Sequence, residues 1–298
     1  MILIAVTCSP HRYRVDLITR LTNSERRSVF GVTTFNNRIF VVYRNLPFIV
    51  VYMSQEPYSR LANISIDGLK EPFDIAAHSS CLHVSDWASG AVWRVKTTES
   101  RVPVESWPRG VKVASISVTS DSEEKLVLLV AVDRAGSVKE RNLTYRGDVH
   151  IYNQGIVMVD VVELSRDIIA PHCVVMTTRE TFIVSYGYRW HGMNGVCEVD
   201  MRGRRLNVEF SSAPGGGVGQ LNTPCHVALD DEERVIVADT VNNRVLLLNR
   251  QLMLQQVLMT WSRSDDAAGP VRLHYDRHSG RLLVGLYTGH LDIYQLRT

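Results

Sequence analysis

One pattern of short apolar segments, turn residues and a leading proline recurs along the chain. It constrains the fold more than any other feature. The clearest copy is GGGVGQLNTPCHVALDDEERVIVADTVNNRVLLLN, residues 215–249, in which three strand-like segments follow Pro224 and are separated by the turns DEE and TVNN. Asparagine tolerates the left-handed backbone conformation that tight hairpins require. The segment LMLQQVLM then supplies a fourth strand, so the copy predicts four short antiparallel strands.

The pattern recurs five more times with a similar internal spacing. In the copy that Pro72 leads, Asp86 and Val92 stand six residues apart, as Asp239 and Val245 do in the clearest copy. The approximate bounds of the copies are 29–70, 71–111, 112–169, 170–222, 223–268 and 269–298, with 13–22 completing the last. Four strands in each of six copies predict an all-β, six-bladed β-propeller that forms a single domain over residues 1–298.

The two ends of the chain predict how the ring closes. The last copy stops after its third strand, HLDIYQLRT, and the segment YRVDLITRL stands ahead of the first copy. We expect this N-terminal segment to complete the last blade as its fourth strand, with Val15, Leu17, Thr19 and Leu21 on one face. Such a closure removes the exposed sheet edges that an open arrangement would leave.

Charge and cysteine content narrow the classes of function. The formal net charge is +2, from 33 basic and 31 acidic side chains, so a nucleic-acid surface would have to be local. The five cysteines include no CxxC pair and are typical of reduced, buried thiols. No apolar run reaches the roughly eighteen residues of a membrane span. We therefore predict a cytoplasmic, monomeric protein without membrane contact.

The clearest copy resembles the NHL repeat, with its G-x-G-Q-[LF]-N-x-P lead followed by A-D-T-x-N-N-R-V. VSDWASGAVWRV, residues 84–95, is a weaker match, and the other four copies fit by spacing more than by identity. The resemblance implies a six-bladed propeller used as a binding platform, like the NHL domain of tripartite-motif NHL proteins, several of which bind RNA on one face. The sequence shows neither the cysteine and histidine ladder of a RING or B-box nor the heptads of a coiled coil, so ligase activity is not expected of this chain.

Equivalent positions of the six copies should meet in the central channel. The first strand of each blade lines the channel of a propeller. The position two residues after the lead proline is polar in several copies, and a histidine precedes it in one of them. The candidate ligand-binding residues of this channel ring are Asp74, Ser115, His172, Cys173, His226 and Arg272.

Three interpretations of the channel ring stay open. Its groups can satisfy one another or bind waters, contact a ligand at the channel mouth, or hold a metal ion. Histidines with cysteines would suit zinc and clustered carboxylates would suit calcium, but His172 and His226 are offset and Asp74 is a single carboxylate. We predict no catalytic residue, no metal ligand and no cofactor, and keep a channel zinc or calcium ion as the alternative.

Basic residues interleaved with aromatic ones form a second candidate site, in the loops of the third and fourth copies. Such residues suit peptide contacts, or neutralisation of a nucleic-acid backbone together with base stacking. The loop candidates are Arg134, Lys139, Arg141, Tyr145, Arg146, Tyr188, Arg189 and Trp190.

The sequence thus predicts a class of function. The leading interpretation is a non-catalytic scaffold that binds a protein or peptide through the loops of one face and the channel mouth. Recognition of single-stranded RNA through the same loops is the alternative. A metal-dependent lyase or hydrolase with a channel site is the second alternative.

Overall fold

A computed structural model describes residues 12–78, 80–97, 105–107, 110–119, 125–132, 146–153, 157–189, 191–262 and 269–297. Within these ranges every regular element is a β-strand, and the strands form six four-stranded antiparallel sheets. The innermost strands of neighbouring sheets contact one another around a closed ring. The predicted all-β, six-bladed propeller is confirmed.

The strands follow the chain blade by blade. In chain order they are β1 (Arg14–Thr22); β2 (Val29–Phe35), β3 (Arg38–Tyr43), β4 (Phe48–Met53) and β5 (Arg60–Ser65) in blade 1; β6 (Pro72–His78), β7 (Cys81–Asp86), β8 (Ala91–Lys96) and β9 (Glu105–Trp107) in blade 2; β10 (Lys112–Val118), β11 (Leu126–Val132), β12 (Arg146–Tyr152) and β13 (Met158–Glu163) in blade 3; β14 (Pro171–Met176), β15 (Phe182–Tyr188), β16 (His191–Val199) and β17 (Arg205–Ser212) in blade 4; β18 (Pro224–Leu229), β19 (Val235–Asp239), β20 (Arg244–Leu248) and β21 (Leu254–Thr260) in blade 5; and β22 (Pro270–Asp276), β23 (Arg281–Leu286) and β24 (His290–Arg297) in blade 6. The described residues contain no helix long and apolar enough to cross a bilayer.

Strand β1 closes the ring as the sequence predicts. It pairs antiparallel with β24, so blade 6 has the order β1-β24-β23-β22. The predicted single face of β1 is wrong, because a register shift between Leu17 and Thr19 reverses the alternation of side chains. Leu17 is 52% exposed, while Ile18 and Leu21, at and beyond the shift, pack against the core between blades 6 and 1.

The core lies between neighbouring blades. The second and third strands of a blade are covered on both faces, and every residue of β19 and β20 is buried. Cys173 and Val196 of blade 4 pack with Val237 and Leu246 of blade 5 in one cluster. Each buried aliphatic side chain contributes about 1.5–3 kcal/mol, so packing between blades stabilises the ring as a unit.

The turns use the residues that the repeat pattern indicated, with one exception. Asn36, Asn37 and Asn243 have positive φ angles of 48°, 57° and 52° in hairpin turns. In the fourth copy the spacing of the repeat predicts a longer turn over YRWHGMNG, residues 188–195. That prediction is wrong, since β15 continues to Tyr188 and β16 begins at His191. A register shift between Tyr186 and Tyr188 accommodates this extension of the hairpin.

A β-bulge at the same place in all six first strands determines which residues form the channel ring. In each blade the pairing of the first two strands skips one residue immediately after the lead residue. The residues that follow the bulge are Gly31, Asp74, Ser115, Cys173, His226 and Arg272. They occupy equivalent positions near the start of the six inner strands.

Candidate binding sites in the channel and on the upper face

The six first strands begin at one face of the ring, which we call the upper face, and end at the other, the lower face. A cavity of about 730 Å³ occupies the channel from the level of Asp74, His226 and Arg272 to the turns of the lower face. Side chains two positions beyond the ring residues point the same way along each strand. Most of these are small and leave the channel open: Thr33, Ala76, Ser117, Val175 and Ala228, with His274 as the larger sixth.

Asp74, His226 and Arg272 form a buried charged cluster at the upper end of the cavity, which we call the floor cluster. The Asp74 side chain is only 3% exposed and accepts hydrogen bonds from the backbone N–H groups of Ile75 and Ile116, both at 2.9 Å. Its Oδ1 lies 3.7 Å from Arg272 Nε, and its Oδ2 lies 4.0 Å from His226 Nε2. Three residues that the spacing singled out are therefore brought together.

Arg272 closes the upper end of the channel. Its guanidinium donates hydrogen bonds to the carbonyl oxygens of Val271 at 2.9 Å and Phe73 at 3.1 Å. The same group lies 5.1 Å from the ring centroid of Phe73 and 5.9 Å from that of Phe30. The residue is 5% exposed, and its Nε has no hydrogen-bond partner among the described residues.

His226 is the second cation of the floor cluster. Burial alone would lower the pKa of this imidazole, but its interactions with Cys173 and Asp74 outweigh burial and raise the pKa to about 9. Its Nδ1 has no hydrogen-bond partner among the described residues. At neutral pH the floor cluster therefore contains two cations and one carboxylate.

Ser115 and His172 do not join the floor cluster, and Cys173 contacts it only through His226, whose pKa it helps to raise. Ser115 Oγ accepts a hydrogen bond from the Val174 N–H at 3.1 Å, and Cys173 Sγ donates to the Val227 carbonyl at 3.7 Å. Both polar atoms thus bind the backbone of the next blade. His172 is the bulged residue of β14, and its Nε2 lies 2.9 Å from the Gly187 carbonyl oxygen. Burial lowers the pKa of His172 to about 4, so it is neutral.

The sixth ring position, Gly31, is one that the sequence analysis missed. A Cβ at Gly31 would lie 2.7 Å from the backbone nitrogen of Ile75, so only glycine fits there. Val29 stands where four of the other five copies carry a lead proline, which hides the equivalence in the sequence. One signal was available in the sequence. Gly31 stands two residues after Val29, at the same distance as the ring residues of the other copies from their lead residues.

The channel ring offers little to a metal ion. Among the described residues, no three His, Cys, Asp or Glu side chains are placed to hold one ion. The one carboxylate of the floor cluster already accepts two backbone hydrogen bonds and faces two cationic side chains. A metal cation would have to displace or approach those cations, which Coulomb repulsion disfavours.

Three half-buried aromatic rings, Phe30, Phe73 and Trp87, meet on the upper face, and we call them the aromatic cluster. The centroids of Phe30 and Phe73 are 5.2 Å apart in an edge-to-face arrangement, and those of Phe73 and Trp87 are 5.1 Å apart. Such pairs stabilise each other beyond their buried area. The sequence analysis did not single out this cluster, because Phe30 comes from blade 1 whereas Phe73 and Trp87 come from blade 2.

Cations surround the aromatic cluster. Arg44 Cζ lies 5.7 Å from the Phe30 centroid, and Lys112 Nζ lies 5.8 Å from the Trp87 centroid. Lys112 also donates a hydrogen bond to the Trp87 carbonyl oxygen. With Arg272 beneath Phe73, each of the three rings has a cation within the range of cation–π attraction.

The loop candidates are only partly described. Arg189 Cζ lies 5.4 Å from the Tyr188 ring centroid, and the Tyr188 ring is 6.4 Å from that of His172 at the rim of the upper face. Arg146 begins β12 and is half-buried. The remaining candidates, Arg134, Lys139, Arg141, Tyr145 and Trp190, lie outside the described residues.

Comparison with known proteins supports the fold alone. No protein-family model and no curated protein matches the chain. Among solved structures, the WD40 β-propeller domain of Doa1 is similar with a TM-score of 0.62 and 12% identity, over 94% of this chain and 97% of that one. A protein of unknown function from Bacteroides caccae has a TM-score of 0.59 and 13% identity, over 83% and 81% of the two chains. A catalytically inactive virginiamycin B lyase from Staphylococcus aureus, solved with quinupristin, has a TM-score of 0.62 and 8% identity, over 96% and 100%.

Proposed function

We propose that this protein is a non-catalytic scaffold of the NHL type that binds an acidic segment of a protein partner on its upper face. The observation that carries the proposal is the aromatic cluster with its surrounding cations. Aromatic and arginine side chains are the residue types that dominate the energetics of protein interfaces. A propeller fold, shared with the WD40 domain of Doa1, is consistent with a scaffold role.

The charges around the aromatic cluster indicate an acidic partner. Within the described part of the chain, neither Arg44 nor Lys112 forms a salt bridge with an acidic side chain, and both are half-buried. Further exposed cations at the same face are Arg26, Arg27, Lys70 and Arg189, and the acidic side chains in the same loops are Glu25, Asp67 and Glu71. Carboxylates of a bound segment would form charge-assisted hydrogen bonds with such groups.

Single-stranded RNA is less well suited to this cluster. Stacking of bases requires open faces of aromatic rings, and all three rings already have a cation over them. The basic segment of the sequence between β11 and β12, with Arg134, Lys139, Arg141 and Tyr145, keeps RNA as the alternative outcome of the tests. A channel lyase or hydrolase has less support, since the similarity to virginiamycin B lyase is at 8% identity.

The proposal also covers the cellular compartment and the oligomeric state of the protein. The four cysteines of the described residues, Cys81, Cys173, Cys197 and Cys225, are free, and three of them are buried. Free buried thiols are typical of a reducing compartment. We therefore retain a cytoplasmic, monomeric protein as part of the proposal.

Selection from a display library of random peptides of about twelve residues tests this function. Enriched peptides should combine Asp or Glu with an aromatic or aliphatic residue. A double variant, Arg44→Ala with Lys112→Ala, should bind them about tenfold or more weakly. Arg202→Ala is the matched control, because Arg202 is an exposed cation in the β16–β17 turn of the lower face. Enrichment that is equal on the double variant would contradict the proposal.

A further inference from the structure

We propose that the partner segment on the upper face carries two acidic side chains about four to six positions apart, with apolar side chains between them. This inference rests on the proposed function and specifies the order of charged and apolar residues in the partner. It follows from the positions of the two half-buried cations, Arg44 and Lys112, at opposite ends of the aromatic cluster.

The two cations and the three rings of the aromatic cluster form a continuous row. Arg44 Cζ lies 5.7 Å from the Phe30 centroid, which is 5.2 Å from that of Phe73. The row continues over 5.1 Å from Phe73 to Trp87, and Lys112 Nζ lies 5.8 Å beyond the Trp87 centroid. The cations thus stand at the ends of the row and the apolar rings stand between them.

The blades hold the two cations well apart. Arg44 and Trp87 occupy equivalent positions on blades 1 and 2. In each case the N–H group binds the carbonyl oxygen of the residue just before the lead residue of the blade, Ser28 or Glu71. Lys112 begins the first strand of blade 3. Since packed sheets lie about 10 Å apart, cations that are two blades apart are separated by roughly 12–20 Å. A single carboxylate therefore cannot bind both of them.

An extended partner segment matches this separation. Its side chains alternate between two faces, and the chain rises by about 3.3 Å per residue. Side chains four or six positions apart therefore lie on one face, about 13 or 20 Å from each other. Carboxylates at such positions would reach Arg44 and Lys112 together, and each would form a charge-assisted hydrogen bond.

The surface between the two cations favours apolar side chains. Phe30 and Phe73 offer no hydrogen bond to a carboxylate, so an acid above them would lose its water without gaining a partner. Glu71 stands two residues before Phe73 and forms no salt bridge within the described ranges. Its negative charge also disfavours an acid at the centre of the segment. Apolar side chains at the centre would instead bury more of the half-buried rings.

A focused display library tests the predicted order on the unaltered protein. Each peptide has about twelve residues, with two Glu at a set spacing between one and eight positions and with Leu or Ser at every other position. We expect enrichment of peptides whose Glu residues are four or six positions apart with Leu between them. Peptides with adjacent Glu residues are the matched control, because they carry the same charge.

A double-mutant cycle on one enriched peptide identifies the two contacts. Fluorescence anisotropy gives its affinity for the unaltered protein, Arg44→Ala and Lys112→Ala, with either Glu of the peptide replaced by Gln. In the unaltered protein each replacement should weaken binding about fivefold. In each variant, replacing the Glu that faces the missing cation should change the affinity less than about twofold. Arg202→Ala removes an exposed cation of the lower face and should behave like the unaltered protein.

The outcomes separate this inference from the proposed function. If no acidic peptide is enriched, both are wrong. If adjacent Glu pairs are enriched as strongly as separated ones, or if both Glu residues depend on the same cation, the partner is acidic but the predicted order is wrong. The library selection needs no variant, so it stays decisive if Arg44→Ala or Lys112→Ala does not fold.

Discussion

Replacing Asp74 by asparagine should strongly destabilise the ring. The Asp74 carboxylate accepts backbone hydrogen bonds from blades 2 and 3 and lies 3.7 Å and 4.0 Å from Arg272 and His226. Asparagine preserves the shape but removes the negative charge. His226 can then lose its proton, whereas Arg272 stays charged and buried without a counter-ion. Breaking a buried pair on one side costs about 3–5 kcal/mol.

The expected change in the thermal midpoint follows from chain length. For 298 residues the entropy of unfolding near the midpoint is about 0.6 kcal/mol/K. A loss of about 4 kcal/mol then lowers the midpoint by about 6 °C. Differential scanning calorimetry at pH 7 and one fixed scan rate measures this shift. The loss of stability in the double variant, Asp74→Asn with Arg272→Met, should be smaller than the summed losses of the two single variants. The difference should be at least about 2 kcal/mol.

Two results would refute this reasoning. A midpoint of Asp74→Asn within about 2 °C of the unaltered protein would mean that the carboxylate does not balance buried charge. Additive losses in the double variant would mean that Asp74 and Arg272 act independently, despite their distance of 3.7 Å.

Three further predictions test other parts of the structure. The pKa of His226 is raised to about 9 from 6.5. Its contribution of about 3 kcal/mol to the free energy of unfolding is therefore complete below about pH 6.5 and is lost as the pH rises through about 9. Midpoints between about pH 6 and 10 should therefore fall with pH, and the fall should be smaller in His226→Gln; a flat profile in the unaltered protein would contradict this. Gly31→Ala should lower stability by about 1–3 kcal/mol, since the new Cβ would meet a backbone nitrogen at 2.7 Å. Gly216→Ala, with its nearest contact at 3.5 Å, serves as the control, and equal midpoints of the two variants would count against the close approach. In urea unfolding, Ile18→Ala should lower the free energy of unfolding by about 1–2 kcal/mol and Leu17→Ala by less than about 0.5 kcal/mol. The reason is that, of these two side chains, only Ile18 packs against the core. The reverse order of the two losses would place the bulge elsewhere.

The fold could be predicted because its signals are local. Lead prolines, Asn turns such as Asn242–Asn243 and alternating apolar segments specify each hairpin within a few residues. Ring closure by β1 followed from counting the strands of the last blade. The bulge at Ile18 could not be predicted, because it depends on the register with β24, a partner far away in the chain.

The candidate sites were predictable only in part. Spacing after the lead proline placed Asp74, His226 and Arg272 at equivalent positions, because the same bulge occurs in every blade. It could not show that Ser115 and Cys173 would instead bind the backbone of the next blade, since that depends on the distance between blades. The meeting of Phe30, Phe73 and Trp87 depends on blade geometry in the same way.

The central claim, recognition of an acidic protein segment by the aromatic cluster and its cations, is tested most directly by competition. A labelled acidic peptide from the library selection is bound to the protein, and a pool of random single-stranded RNA of about twelve nucleotides is titrated against it while fluorescence anisotropy is recorded. The account predicts that the peptide binds, that Lys112→Ala weakens it about tenfold, and that RNA does not displace it at physiological salt. Peptide binding that ignores Lys112→Ala, or displacement by RNA with a steep salt dependence, would contradict the account.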